Sequence, residues 1–202
     1  MEKDARTKLL ETATLLFAQK GFNAVSIREL AWTASVNSAL ISYYFKSKDG
    51  LYQEVLEEQF VLIAQLLKEV ENLPPTSPTE RIKMYAKNIA SIHQQRPFLT
   101  RFIISELINP TPCLEAVIKK YISRLFYFLH ATFEEGISKG EFKPGLNREF
   151  ATVSLAGIMN FFFISKPILQ EFTLSSEKVG EEYVSQALDT FLNGILRRNE
   201  HE

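Results

Sequence analysis

The sequence predicts an all-α protein, with a small three-helix N-terminal domain over residues 1–47 and a larger helical domain over residues 48–202. Apolar residues recur three and four positions apart along almost every segment, which is the spacing of one face of an α-helix. No segment shows the sustained alternation that is typical of strands. Proline, glycine and asparagine divide the chain into about nine such helices.

The first predicted helix ends at Gly21, since glycine commonly follows the last residue of a helix. Its inner face consists of Leu9, Ala13, Leu16 and Phe17. A second helix begins after Ser26, whose hydroxyl can cap it while Glu29 completes a capping box. Its apolar stripe consists of Ile27, Leu30 and Ala31.

The segment Ser35–Asn37 is short and polar, and it predicts a turn into a third helix from about Ser38 to Tyr44. Asn37 can cap that helix. The helix carries several uncharged side chains with no obvious packing partner: Ala39, Leu40, Ser42 and Tyr43. A helix of this kind is short enough to enter the major groove of DNA, where hydroxyl and apolar groups can meet base edges.

The following helices have clear boundaries in the sequence. A long helix begins near Lys48 and ends at Leu73–Pro75, after which Ser77–Glu80 has the pattern of a new helix start. Arg96–Pro97 ends this helix, and a short one is predicted from Phe98 to Ile108.

The last three helices are predicted in the same way. Thr111–Pro112 starts a long helix that should continue to Lys139. Asn147 caps a strongly apolar helix, which Pro167 should terminate, and Ser175 or Ser176 caps the final helix.

The longest apolar run, from Phe150 to Ile164, falls short of the roughly 20 residues that span a bilayer. We therefore expect it to form a buried helix. The N-terminus mixes both charges and has no apolar segment of the signal-peptide type. With a single cysteine, which fits a reducing compartment, these features predict a soluble, cytoplasmic protein.

Charge is distributed unevenly along the chain. The net charge of −1 argues against a protein coated with nucleic acid. Residues 1–50, however, carry seven Lys and Arg against five Asp and Glu, a net of +2 that leaves −3 for the remainder. A mildly basic N-terminal domain on an acidic body suits local contact with phosphate.

Residues 9–56 resemble the DNA-binding domain of the TetR family of transcriptional regulators. The matching features follow one another at the family's spacing: Ala13, Leu16–Phe17, Gly21–Phe22, Ser26–Ala31, Ala34, Val36, Tyr43–Phe45, Ser47–Lys48 and Leu51. Ser35 stands where the family usually has glycine, and Ser42 stands where it often has tyrosine. Because glycine adopts such a turn freely, Ser35 should cost about 1 kcal/mol.

The resemblance implies which residues contact DNA. The expected base-reading residues are Ser38, Ala39, Ser42 and Tyr43, and the expected phosphate or positioning contacts are Ser26, Arg28, Asn37, Tyr44 and Lys48. A solvated surface role stays open for Arg28 and Lys48, and a packing role stays open for the tyrosines. Further phosphate attraction should come from Lys3, Arg6, Lys8 and Lys46.

The resemblance also implies a homodimeric repressor that leaves a pseudo-palindromic operator when a small effector binds to the helical body. The dimer interface should lie on the last two long helices, from about Asn147 to Lys166 and from Ser176 to Arg197. The density of phenylalanine in the second half predicts a mostly apolar or aromatic effector. The candidate ligand contacts are Phe98, Phe102, Phe126, His130 and Asn160, of which Asn160 needs polar partners inside the most apolar helix.

Other classes of function have little support in the sequence. The histidines have no partner at the spacing of a helical metal site, and no glycine-rich loop is present to hold a phosphate. We therefore expect no metal, no cofactor and no enzymatic activity. Cys113 in a first helical turn leaves a redox role open, although a passive apolar role is favoured. The alternative function is a helical binding or carrier protein whose N-terminal domain no longer binds DNA.

Overall fold

The computed structural model describes residues 4–71, 76–169, 171–172 and 178–197. Within these ranges it contains nine α-helices: α1 Ala5–Lys20, α2 Ile27–Thr33, α3 Ala39–Phe45, α4 Lys48–Glu71, α5 Pro78–Gln95, α6 Leu99–Ile108, α7 Lys120–Ser138, α8 Arg148–Leu169 and α9 Val179–Ile195. No strand occurs in these ranges, and the nearest approach to one is an isolated bridge between Phe142 and Leu196. The predicted all-α class is confirmed.

Several predicted helix ends are confirmed by hydrogen bonds. Gly21 follows α1 at φ 78°, which is the left-handed conformation that glycine favours. The side chains of Ser26 and Ser77 accept from the backbone N–H groups of Glu29 and Glu80 at 3.1 and 3.2 Å. Asn147 accepts from the N–H of Phe150 at 2.8 Å and caps α8.

Two predicted boundaries are wrong. The helix predicted from Thr111–Pro112 begins instead with a π-helical segment, Leu114–Lys119, and becomes α-helical only at Lys120. Pro167 lies inside α8, which continues two residues further to Leu169. Proline has no N–H to donate to the carbonyl four residues earlier, so it ends the helix soon after but not at Pro167 itself.

Some predicted features lie outside the described residues. These are Leu73–Pro75, the two candidate caps Ser175 and Ser176, and Lys3. In the described part of the chain, the residue before α9 is Lys178, whose side chain makes no capping hydrogen bond.

The chain divides into two compact units. The first unit contains Met1–Val61 and Phe98–Tyr121, and therefore α1 to α3, the first part of α4, and α6. The second unit contains Leu62–Pro97 and Ile122–Glu202, with α5, α8 and α9 packed together. The predicted functional boundary after residue 47 falls between α3 and α4 and stays a prediction.

The expectation that the apolar run of α8 is buried is wrong for this chain alone. Its inner face is buried, but a stripe of apolar residues is exposed along its length: Phe150, Val153, Ile158, Phe161, Ile164 and Ile168. By length and composition α8 qualifies as a membrane-spanning helix, with 22 residues and a mean hydropathy of 1.4 over its most apolar window, 22% of which is buried. The core helix of a soluble protein can meet the same criterion.

Candidate functional site

The first unit holds α2 and α3 in a helix-turn-helix arrangement. Both helices pack against α1, and their inner faces bury Leu30, Ala31, Ile41 and Phe45. The turn between them is fixed by its backbone, in which the N–H of Val36 donates to the carbonyl of Ala31 at 3.0 Å.

Ser35 occupies the predicted strained position in this turn. Its φ is 54°, in the left-handed region that favours glycine. The neighbouring turn residue Asn37 stabilises the start of α3, because its side-chain oxygen accepts from the N–H of Ala39 at 2.8 Å. The predicted cap is therefore present, although the α-helix begins at Ala39 instead of Ser38.

The outer face of α3 presents the residues predicted to read bases. Ser38, Ala39 and Ser42 are exposed, and Tyr43 is 78% exposed. Tyr44 is half-buried, and its ring lies edge-on to that of Tyr43 with 5.0 Å between the ring centroids. The structure therefore brings these side chains together on one surface, and most of them do not pack in the core of this unit.

The junction between α3 and α4 is tight, and sequence reasoning missed it. Lys46 adopts φ 68° although it is not a glycine. A Cβ atom on Gly50 would lie 2.0 Å from the carbonyl oxygen of Phe45, so the close approach of α3 to α4 requires glycine there. The Ser47 hydroxyl accepts from the N–H of Gly50 at 3.1 Å. An Asp-Gly pair in a first helical turn was the available signal.

The basic side chains of this unit differ in their availability. Arg6 forms an ion pair with Glu54, so its predicted attraction for phosphate is already partly satisfied. The Lys48 ammonium lies 4.1 Å from the ring centroid of Phe22. Partial burial lowers the pKa of Lys48, and the negative charge of Asp49 only partly offsets this effect. Arg28 is exposed and forms no ion pair within the described part of the chain.

The five predicted ligand contacts fall in both units. Phe98 and Phe102 belong to the first, where the ring of Phe102 packs against Tyr52 at a centroid distance of 6.1 Å. Phe126, His130 and Asn160 belong to the second. Phe126 stacks on His130 at 5.9 Å.

Polar groups in the second unit have partners that sequence reasoning did not foresee. His130 contacts the carboxylate of Glu149 at 3.2 Å. The side-chain oxygen of Asn160 lies 2.8 Å from Nε2 of His93, which is 7% exposed. The His93 ring stacks on Phe163 at 4.1 Å, and burial lowers the pKa of His93. Asn160 is thus one member of a buried polar cluster.

Tyr85 is the third member of this cluster. Its side chain is completely buried, and burial raises the pKa of Tyr85 while the adjacent Asn160 opposes that rise. The Tyr85 hydroxyl makes no hydrogen bond of normal geometry. A buried hydroxyl without a partner is costly, so a bound group that accepts from it would be stabilised.

A separate groove of about 380 Å³ lies between α5 and α9 in the second unit. Its apolar wall includes Ala86, Val184 and Leu188, and its charged lining residues are Lys83, Lys87 and Glu181. The second unit thus offers an uncharged polar cluster and a surface groove that carries charges of both signs.

Cys113 does not have the environment of a reactive thiolate. It is 5% exposed, and burial raises the pKa of the Cys113 thiol. Cys113 lies at the start of the helix that continues as the π-helical segment, as expected, but burial there disfavours ionisation of its thiol. Among the described residues, no group of three or more His, Cys, Asp or Glu side chains is placed to hold a metal ion.

Two family models match the chain. Residues 9–55 match the N-terminal model of the bacterial regulatory proteins of the tetR family. Residues 78–198 match the C-terminal domain of the HTH-type transcriptional dual regulator CecR. The first match covers α2 and α3 and the tight junction into α4.

Individual proteins are similar over most of the chain. The probable HTH-type transcriptional regulator YttP of Bacillus subtilis is 32% identical over 70% of this chain and 69% of its own length. The ketosteroid transcriptional regulator KstR2 of Mycobacterium tuberculosis has the same fold, with a TM-score of 0.78, 18% identity and 98% of each chain covered. FadR of Bacillus subtilis, solved with stearoyl-CoA, gives a TM-score of 0.71 at 17% identity, over 93% of this chain and 98% of FadR.

The N-terminal unit therefore has both the sequence and the geometry of a DNA-binding helix-turn-helix. This chain is a transcriptional regulator that belongs to the TetR family.

Proposed function

We propose that this regulator is a homodimeric repressor that leaves its operator when a mostly apolar small molecule binds in the helical body. The observation that carries the proposal is the surface of α3, where Ser38, Ala39, Ser42 and Tyr43 are exposed and uncharged. Such side chains suit the base edges and thymine methyl groups of a major groove. A repressor acting on DNA would work in the cytoplasm.

The remaining predicted DNA contacts surround this surface. Ser26, Arg28, Asn37, Tyr44 and Lys48 are the residues that we assign to phosphate and positioning. Because no basic residue lies on α3, phosphate attraction must come from its flanks. Arg28 is the best placed of these cations, since it is exposed and no described carboxylate pairs with it.

Dimerisation would cover the exposed stripe of α8. Most of its members lie three or four positions apart, so they occupy one side of the helix: Phe150, Val153, Ile158, Phe161, Ile164 and Ile168. A second copy of α8 offers the same apolar surface, as a two-fold symmetric interface requires. The opposite face packs within the unit, so a bilayer would meet only one face of this helix.

The contribution of α9 to the dimer would differ from the sequence-based expectation. Its apolar residues Val184, Phe191, Leu192 and Ile195 are buried within the unit, and its outer face is mainly polar. We therefore assign the apolar centre of the interface to α8 and a polar rim to α9, an arrangement common in protein interfaces.

The effector would contact the cluster of Tyr85, His93 and Asn160. The Tyr85 hydroxyl is a donor without an acceptor, and burial favours the neutral form of His93. An apolar molecule with an uncharged acceptor, such as a carbonyl oxygen, fits this cluster better than an anion does. KstR2 and FadR are regulators of the same fold, and FadR was solved with stearoyl-CoA, which joins an apolar acyl chain to a coenzyme A part that carries phosphate.

A thermal-shift screen of neutral apolar, anionic and cationic compounds tests the effector assignment. Hits should raise the melting temperature by mass action and lower operator affinity by a coupling free energy of about 1–3 kcal/mol. Tyr85→Phe should reduce both effects for a neutral hit. Lys87→Gln, in the groove between α5 and α9, should leave them unchanged.

The opposite response of the two variants would place the effector in the groove between α5 and α9. Anionic hits that lose their effect in Lys87→Gln but not in Tyr85→Phe would contradict the proposed chemistry. Stabilising hits that never change operator affinity would instead favour the carrier-protein alternative.

A further inference from the structure

Trp32 is the only tryptophan in the chain, and it lies on the surface of α2. Its side chain is 83% exposed, more than any other large apolar side chain in the described part of the protein. Tyr43 on α3 follows at 78%. The two most exposed aromatic side chains therefore both belong to the helix-turn-helix.

The position of Trp32 on α2 places it beside Arg28. Residues four apart on an α-helix are separated by about 40° around the axis, because each residue advances by about 100°. Helical side chains also tilt towards the N-terminus, so the indole leans over the turn that carries Arg28. The other faces of α2 are occupied, since Leu30 is buried and Glu29 pairs with Lys20 at 2.5 Å.

The exposed face of α2 that carries Arg28 and Trp32 offers hydrogen-bond donors but no acceptors from these two side chains. The Trp32 indole N–H and the Arg28 guanidinium donate hydrogen bonds and accept none. No described residue accepts from either side chain. A partner that covers both must therefore present acceptors and negative charge, and the phosphate backbone of DNA presents both.

We propose that the indole N–H of Trp32 donates a hydrogen bond to a phosphate oxygen of the operator, next to the contact of Arg28. This inference rests on the proposed binding of DNA by α2 and α3. Trp32 would be a positioning residue, because a phosphate contact carries no sequence information. It would extend the DNA interface by one helical turn along α2.

The single tryptophan makes a direct experiment possible. Trp32 emission, excited where tyrosine does not absorb, is recorded while a duplex selected by the protein from a random pool is added. Binding is followed independently by anisotropy of fluorescein-labelled duplex. We expect the emission to change and acrylamide quenching of Trp32 to fall as the complex forms, for selected and random-sequence duplexes alike.

Variants separate the N–H group from the aromatic surface. Trp32→Phe keeps an aromatic ring and removes the donor, and it should weaken binding of both duplexes about 5- to 10-fold. Tyr127→Phe removes the hydroxyl of another exposed aromatic residue, outside the helix-turn-helix, and should have no effect. Circular dichroism and melting temperature confirm that both variants fold.

Three results would overturn the inference. If the labelled duplex binds while Trp32 emission and quenching stay constant and Trp32→Phe binds as tightly as the parent, Trp32 does not touch DNA and the proposed function stands. If Trp32 becomes shielded with rising protein concentration in the absence of DNA, its partner is a second copy. If the parent binds no duplex at all, the proposed function itself fails.

Discussion

The hydroxyl of Tyr52 donates a hydrogen bond of 2.8 Å to the carboxylate of Glu106, which is 1% exposed. Tyr52 lies in the second turn of α4, where its ring also packs on Phe17 and Phe22 with centroid distances of 5.0 and 4.8 Å. Glu106 accepts further hydrogen bonds from the N–H and hydroxyl of Thr111 at 2.9 and 3.0 Å. One buried contact thus joins the helix-turn-helix core to the end of α6.

Removing the Tyr52 hydroxyl should therefore destabilise the protein. Tyr52→Phe leaves a buried carboxylate with one fewer donor, and the expected loss is about 1–3 kcal/mol of unfolding free energy. Tyr121→Phe is the matched control, because its hydroxyl donates at 2.6 Å to Glu57, which water can still reach. Urea denaturation measures both variants. Equal losses would show that burial of Glu106 is not the cause.

Tyr43→Ala should weaken operator binding without affecting the fold. Because the side chain is 78% exposed, it contributes little to the core. We expect a loss of about 1–3 kcal/mol per half-site for the selected sequence and little change for random duplex. Affinity measured by anisotropy checks this, and circular dichroism checks the fold. Unchanged affinity and unchanged selected sequences would remove Tyr43 from the base-reading set.

Helix ends and the helix-turn-helix were predictable because their signals are local. Ser26, Asn37 and Asn147 each bond to a backbone N–H two or three residues away, so the short sequence pattern contains the whole interaction. The Tyr52–Glu106 contact is different, since it joins residues 54 positions apart. Hydropathy did not reveal Glu106 as a core residue, because a buried carboxylate depends on donors from distant segments.

The apolar run of α8 shows another limit of sequence reasoning. Hydropathy predicts that Phe161 avoids water, but it does not distinguish the core of one chain from an interface between two. The side chain is 63% exposed in the single chain. Likewise, Asn160 was identified as a polar residue that needs partners, but His93 and Tyr85 could be assigned to it only from the packing of α5 against α8.

Lys48→Gln should reveal whether this lysine holds phosphate or only packs on Phe22. A phosphate contact predicts weaker binding to selected and random duplexes alike, with the salt dependence reduced by about one charge per half-site. Lys139→Gln changes the net charge equally in the second unit and should not alter the slope. A lower melting temperature with an unchanged salt slope would assign Lys48 to packing on Phe22 alone.

Phe161→Glu should disrupt the dimer while the monomer stays folded. A charge in the middle of the apolar stripe of α8 would be buried in the interface without a partner, at a cost of several kcal/mol. Tyr127→Glu adds the same charge at a site on α7 that is 69% exposed and should remain dimeric. Phe191→Glu is less informative, since Phe191 is 8% exposed and packs on Phe133. Sedimentation showing the parent as a folded monomer at micromolar concentration would contradict the interface.

Sequencing the duplexes that the purified protein selects from a random pool shows whether α3 reads an operator as part of a dimer. We expect enrichment of a pseudo-palindromic site whose affinity falls steeply with salt concentration. Tyr43→Ala should weaken this enrichment. Absence of any enriched sequence, with no salt-sensitive binding of duplex DNA, would exclude operator recognition by α3 and favour a helical carrier protein.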